Sequence, residues 1–402
     1  MQKSVAIVGG GPAGLVAAKT LLHHGGGAKF KITVFEAAER VGGMWRSLPG
    51  ETGVKCSPSM RTNLSRFTVA FSDLSWASVD LSEDSRTSTT LPMFPKACQV
   101  GRYLDAYAQR FLPGVIQLNT RVAAAELIGE SGTWNVTYID TLTQQESKDT
   151  FDYLIVASGF FERPTQSIRR SQDPEASTKI QHSSHFRNIS SLTETPGKIV
   201  VIGGGISGSE AAATAAFQIS SARHSTSTQK PAWADSTVYH IINRPFYALP
   251  RYIPQDPYNP AIQGYNPAPH FLPLDLNLYN LGRRGGGSIT ASNGLMPAEK
   301  AKKAHEFIRN VIGGDQRDLG KDELVYKPAD TQYPAFTGIS DTYAEFVRSG
   351  LIVPVRGHVA NIAYHDNDDE AADRFNVEIL DNGSFNEDKG VRKSCLCPSR
   401  QE

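Results

Sequence analysis

The stretch VAIVGGGPAGLVAA, Val5 to Ala18, decides the fold. Four apolar residues, Val5 to Val8, run straight into Gly9, Gly11 and Gly14 at the G-x-G-x-x-G spacing, and a helix-permitting run from Leu15 to Leu22 follows. The spacing predicts strand, tight turn and helix. Gly9 makes the turn, Gly11 lets the backbone approach a pyrophosphate, and Gly14 lets helix and strand pack closely, with the helix N-terminus facing the anion. Pro12 and Ala13 complete the candidate cradle. A glycine cluster alone also marks ordinary loops. Here a second strand, KITVFE, ends on Glu36 about twenty residues further on, where a carboxylate accepts hydrogen bonds from an adenosine ribose.

The chain repeats this pattern. In IVVIGGGISGSEAA, Ile199 to Ala212, the strand is Ile199 to Ile202, the turn is Gly203, Gly205 and Gly208, and Ser209 to Phe217 can form the helix. The second strand, TVYHIIN, is delayed by a Ser/Thr-rich loop around Ser220 to Gln229 and ends on Asn243 and Arg244 instead of an acid. A carboxylate there would repel a 2′-phosphate, whereas a guanidinium grips one with paired hydrogen bonds. The first site therefore suits FAD and the second NADPH. The competing reading of Arg244 is a solvated surface charge beside Pro245.

The remaining composition narrows the class. At 402 residues the chain exceeds what one hydrophobic core usually supports, so two domains are expected. Its 41 basic residues balance 41 acidic ones, which gives no electrostatic case for nucleic acid or a membrane surface. No run of about eighteen apolar residues suggests a membrane anchor. The N-terminal apolar stretch is broken by Gly9, Gly10 and Gly11 and reads as a strand, not a signal peptide. Four cysteines, Cys56, Cys98, Cys395 and Cys397, are too few and too unevenly spaced for a disulfide framework or zinc site, which fits a reducing, cytoplasmic setting. There is no redox C-x-x-C, no G-x-S-x-G elbow and no H-E-x-x-H, so dithiol reduction and hydrolysis lack their residues. HSSH, His182 to His185, has no further ligands nearby, and no metal site is expected.

Further words follow in order: AAERVGGMWR after Glu36, MRTNLSRFTVAFSDLSW from Met60, FPKACQVGRYLDAYAQRF ending at Phe111, FDYLIVASGFFERP from Phe151, HSSHF to Phe186, and RSGLIVPVRG from Arg348 to Gly357. With the two glycine turns, this order resembles the flavin-containing monooxygenases, among the class B flavoprotein monooxygenases, over most of the chain.

The resemblance implies roles for matching residues. Gly42, Gly43, Met44 and Trp45 would lie against the flavin. Thr62, Asn63 and Leu64 would sit where flavin and nicotinamide meet, with Asn63 the catalytic candidate that steers the oxygenated flavin; read without the family, Thr62-Asn63 is equally a capped turn. Ser207, Gly208, Ser209 and Glu210 would hold the NADP pyrophosphate. The family's identifying word is half present: Ala176 and Thr178 replace its aromatic and glycine, while His182 and Phe186 remain. Baeyer-Villiger relatives favour Trp at that last position, so Phe186 leans towards heteroatom oxygenation. The implied activity is NADPH- and FAD-dependent monooxygenation of nitrogen or sulfur in a small molecule, with O2, through a C4a-hydroperoxyflavin. Such an enzyme needs an apolar, water-excluding site more than an acid and base pair. Baeyer-Villiger insertion into a ketone, and cofactor binding without turnover, are the alternatives.

The expected architecture is α/β, two Rossmann-like dinucleotide-binding domains: an FAD domain over 1–165, an NADP domain inserted over 166–345, and an FAD-domain return over 346–402. The Pro- and aromatic-rich stretch from Arg244 to Leu276 should lack long helices, and PAEKAKKAHEFIRNVI, Pro297 to Ile312, should form an amphipathic helix. After FNVEILDNGSFNED the resemblance implies a buried strand and a helix that complete the flavin site, whereas this chain reads KGVRKSCLCPSRQE, which has no apolar run and is not expected to supply that strand. The chain thus reads as a C-terminally shortened member of the family, with activity and FAD affinity in question. The sequence carries no interface signal and does not specify the substrate.

Overall fold

The computed structural model describes residues 2–24, 30–51, 55–81, 91–129, 132–161, 180–256, 258–265, 270–282, 296–364, 375–380 and 395–397. The chain's internal contacts divide it into two units, Met1–Pro164 and Thr165–Glu402.

In the first unit, β1 (Lys3–Val8) leads through the glycine turn into α1 (Pro12–His24) and on to β2 (Phe30–Phe35). After α2 (Ala97–Phe111) come β3 (Ile116–Gln117), β4 (Thr120–Ile128), β5 (Thr133–Asp140), β6 (Glu146–Phe151) and β7 (Tyr153–Val156). Strands β3, β2, β1 and β7 form a parallel sheet in that order, while β4, β5 and β6 form an antiparallel meander. Alternation along β1 explains the layering: Val5 and Ile7 pack with Leu15, Ala18, Tyr103 and Tyr107 of the helices, whereas Ala6 joins Phe35, Val136 and Phe151 on the meander side. A parallel sheet buried on both faces reads as a continuous apolar run, as VAIV does.

The second unit repeats the plan. Here β8 (Lys198–Ile202) enters α3 (Ile206–Arg223), followed by β9 (Thr237–Ile242). The Pro- and aromatic-rich stretch gives only short elements: β10 (Tyr247–Leu249), β11 (Tyr252–Pro254), β12 (Tyr258–Asn259), β13 (Gly264–Tyr265), β14 (Phe271–Pro273) and the nine-residue α4 (Leu274–Gly282). The amphipathic segment is α5 (Ala298–Ile312), which buries Ala301 and His305 and ends at Gly313 in the left-handed region. Then come β15 (Thr337–Ile339), α6 (Tyr343–Arg348), β16 (Ile352–Arg356), β17 (His358–Tyr364), β18 (Phe375–Leu380) and β19 (Cys395–Cys397).

Strands β16, β9 and β8 form a parallel sheet. One face carries α3 and α6 through Ala212, Ala216, Ile219, Tyr343 and Val347. The other carries the antiparallel β17-β18-β19 layer through Val359, Ile362, Val377 and Ile379 packed on Ile241.

Among the described residues after 346, Ile352–Arg356 pairs in register with β9 and extends the second parallel sheet. Within the tail, Cys395–Cys397 adds a short antiparallel strand to the edge of β18, a pairing that uses backbone groups and needs no apolar run. The segment that crosses between the units, including Ala176 and Thr178, lies outside the described residues.

Candidate dinucleotide sites

In the first turn, Gly9 has φ +110°, its N–H donates to Phe35 O at 2.8 Å, and a Cβ on it would lie 2.5 Å from Ala157 O. At Gly14 a Cβ would fall 1.9 Å from Gly9 O, so the entry of α1 tolerates no side chain. Gly11 differs: a Cβ there would make only an ordinary 3.6 Å contact with Gly43 Cα. The fold itself therefore does not demand glycine at position 11. Pro12 opens α1 and Ala13 is exposed beside it.

Glu36 follows β2 directly and is 7% exposed. Its Oε2 accepts the Gly10 N–H at 2.7 Å and its Oε1 accepts the Ala38 N–H at 2.9 Å. The glycine-pair word folds onto the same turn, with the Gly42 N–H donating to Gly10 O at 2.9 Å and both Gly42 and Gly43 at positive φ. Met44 is exposed beside it, and Trp45 packs on the helix-side core.

Helix α2 supports this word and the RTNL segment together. A Cβ at Gly101 would meet Trp45 O at 2.5 Å, so the segment crosses the helix at a glycine. One turn earlier, Lys96 bridges Arg61 and the Ala97 N–H donates to Met60 O at 2.8 Å. Thr62 is buried, its hydroxyl donating to Leu64 O at 2.7 Å, while Asn63 is half-buried and Leu64 exposed. The Thr62 hydroxyl thus closes a local turn.

In the second turn Gly203 has φ +122° and its N–H donates to Ile241 O at 2.9 Å, the counterpart of the Gly9 to Phe35 bond. By that bond the position equivalent to Glu36 is Ile242, fully buried, whose Cβ would lie 3.1 Å from a Cβ on Gly204. No carboxylate stands at the position of this turn that Glu36 holds in the first. Gly208 is barred to any side chain by Gly203 O at 1.7 Å, whereas a Cβ on Gly205 would meet nothing within 4 Å.

Ser207 is exposed on the first turn of α3. Ser209 is not: it is 1% exposed, its hydroxyl donates to Ile206 O at 2.9 Å, and Gly338 is packed against it. It serves helix packing, because its position on α3 faces β15. Glu210 is partly buried, which pushes its carboxyl above the usual range against the opposing charge of Arg251. Arg244 is exposed just beyond β9, its guanidinium carbon 3.1 Å from the centre of the Phe336 ring. Burial against its neighbours lowers its pKa.

Sequence reasoning missed His240. This fully buried histidine donates Nε2–H to Gly203 O at 2.9 Å, which leaves Nδ1 to accept from the Tyr343 hydroxyl at 2.8 Å. Burial pushes its pKa down to about 4, so the ring is neutral. The available signal was a lone polar residue in an apolar strand, TVYHII. Elsewhere, His182 Nδ1 lies 2.8 Å from Ser184 Oγ, and Cys56 and Cys98 are both buried.

Two parallel sheets, each delivering a strand through a glycine turn into a helix, define a protein with two Rossmann-like dinucleotide-binding folds. A family model described as pyridine nucleotide-disulphide oxidoreductase matches residues 3–224, more than half the chain and both turns, and the chain belongs to that family. It is similar to Flavin-containing monooxygenase FMO GS-OX-like 6 of Arabidopsis thaliana, 31% identical over 180 residues, covering 40% of this chain and 36% of that protein. It is also similar to Senecionine N-oxygenase of Tyria jacobaeae, 28% identical over 246 residues, covering 60% and 49%. The chain spans about half, or less, of the length of these curated relatives. In fold it matches the solved structure of DfoA bound to FAD, a cadaverine monooxygenase of Erwinia amylovora, with a TM-score of 0.53 at 12% identity, covering 100% of this chain and 80% of that one. Among the described residues, no helix is long and apolar enough to cross a membrane.

Proposed function

We propose that the chain is an NADPH- and FAD-dependent monooxygenase that oxygenates a nitrogen or sulfur atom of a small molecule, using O2. The observation that carries this reading is the contrast at equivalent places of the two turns: buried Glu36 in the first, buried Ile242 followed by exposed Arg244 in the second. An acid suits a ribose diol, and its absence with a nearby guanidinium suits a 2′-phosphate.

The residues fit these groups. Gly11, which the fold leaves open, and the N-terminus of α1 receive the FAD pyrophosphate, while Glu36 keeps lone pairs for the ribose beyond those used by Gly10 and Ala38. Gly43, Met44 and Trp45 would lie against the flavin, with Thr62 and Asn63 on the segment that α2 supports alongside them. Gly203, Gly205, Gly208 and Ser207 cradle the NADPH pyrophosphate, and Arg244 takes the 2′-phosphate. Ser209 and Glu210 contribute through helix packing and local charge. FAD, when bound and reduced by NADPH, supplies dioxygen activation and single-oxygen transfer. When FAD is bound, the Asn63 amide would serve as the hydrogen-bonding group near the flavin and an apolar lining would keep water out. Relatives named for N-oxygenation and thiol oxygenation support the choice of a soft heteroatom.

The test is to purify the protein with FAD and follow NADPH oxidation with a sulfide, a tertiary amine and a cyclic ketone, analysing products. Sulfoxide or N-oxide is expected. Lactone as the main product would move the reading to Baeyer-Villiger chemistry, and FAD binding without substrate-dependent NADPH oxidation would reduce it to cofactor binding.

A further inference from the structure

The Arg244 guanidinium sits over the Phe336 ring, with its central carbon 3.1 Å from the ring centre. Phe336 is itself fixed from both sides of its backbone: its N–H donates to the Tyr326 hydroxyl at 2.9 Å, and its C=O accepts the Tyr247 N–H at 2.8 Å. Tyr247 and Tyr326 are buried and packed on each other with ring centres 4.9 Å apart. Tyr247 is further tied to His305 and Arg309 of α5 at 2.9 and 3.1 Å. Strand β15, which begins one residue later, runs parallel to β10 and continues this anchorage. The ring is thus a rigid platform built from segments about ninety residues apart in sequence.

A guanidinium stacked on an aromatic face keeps its N–H donors in its own plane, aimed outward, and the ring uses none of them. Neighbouring arginines are committed to carboxylates, Arg251 to Asp341 at 2.9 Å and Arg356 to Asp330 at 3.7 Å, and Arg244 stands outside these pairs. Arg244 is exposed and forms no ion pair among the described residues. A planar fork of this kind matches two oxygens of a phosphate.

We infer that Phe336 is a positioning residue for cofactor choice: by stacking on Arg244 it pre-orients the guanidinium for the 2′-phosphate of NADPH and so sets the preference over NADH. This rests on the reading of the second turn as the NADPH site. Without the platform, binding a phosphate must first order a long, free side chain, and affinity falls.

The test measures binding without turnover, by calorimetric titration of the full chain with NADP⁺ and NAD⁺, which differ only in the 2′-phosphate. Wild type should prefer NADP⁺, Arg244→Ala should abolish the preference, and Phe336→Leu should reduce it about 5-fold while leaving NAD⁺ affinity unchanged. Phe336→Tyr, which keeps the aromatic face, should restore it. Retained NAD⁺ binding reports that a variant is folded; if Phe336→Leu lacks it, Phe336→Met carries the comparison. If wild type shows no preference, the NADPH reading of this site fails. If Arg244→Ala abolishes the preference while the Leu or Met variant keeps it, that reading stands and the role of Phe336 is overturned.

Discussion

Glu36 accepts the Gly10 N–H at 2.7 Å, so the acid that reads as a ribose contact also holds the glycine turn in shape. Glu36→Gln brings an amide NH2 against one of two backbone N–H groups. We expect a loss of about 1–3 kcal/mol in urea unfolding, together with a lower FAD to protein ratio after purification. Full flavin content with unchanged stability would remove Glu36 from the site.

The glycines of each turn separate into two kinds. Gly14→Ala and Gly208→Ala force a Cβ to 1.9 and 1.7 Å of a backbone oxygen, and should cost at least about 3 kcal/mol or prevent soluble expression. Gly205→Ala meets no protein atom, so its stability should stay within about 0.5 kcal/mol of wild type. Its NADP⁺ affinity should nonetheless fall, as read by titration.

His240 links the second turn to α6 through Gly203 O and Tyr343. With its native pKa about 4 and an unfolded value near 6.5, the unfolded chain binds the extra proton first. The stability tied to the neutral ring is complete above about pH 6.5 and is lost as pH falls towards 4, up to about 3 kcal/mol. Thermal unfolding between pH 4 and 7.5 should show this slope, and His240→Gln should flatten it.

Tyr343→Phe removes the donor to His240 Nδ1 and leaves that buried nitrogen without its partner. A loss of about 1–3 kcal/mol is expected in denaturant unfolding. A neutral result would mean that water enters to replace the hydroxyl.

The sequence made legible what is fixed within a few residues. Strand, turn and helix at Val5 to Ala18 follow from glycine spacing, because Gly9 and Gly14 meet backbone that no other residue could clear. The end of the second strand was not legible to one residue. TVYHIIN directs attention to Asn243, and only the bond from Gly203 N–H to Ile241 O shows that Ile242 stands opposite the turn. Pairings across long separations were hidden for the same reason. Tyr343 lies about a hundred residues from His240, Phe336 about ninety from Arg244, and Ile352–Arg356 reaches β9 by register alone. The short edge strand Cys395–Cys397 was not legible, because apolar character forecasts a buried strand but not an edge one.

The layered plan of the first unit has a consequence for how the protein is made. Every residue in its two cores lies at or before Ala157. By the time the ribosome has released Gly203, the first 164 residues have all the side chains those cores need. The first unit is then set to collapse while the rest is still being synthesised.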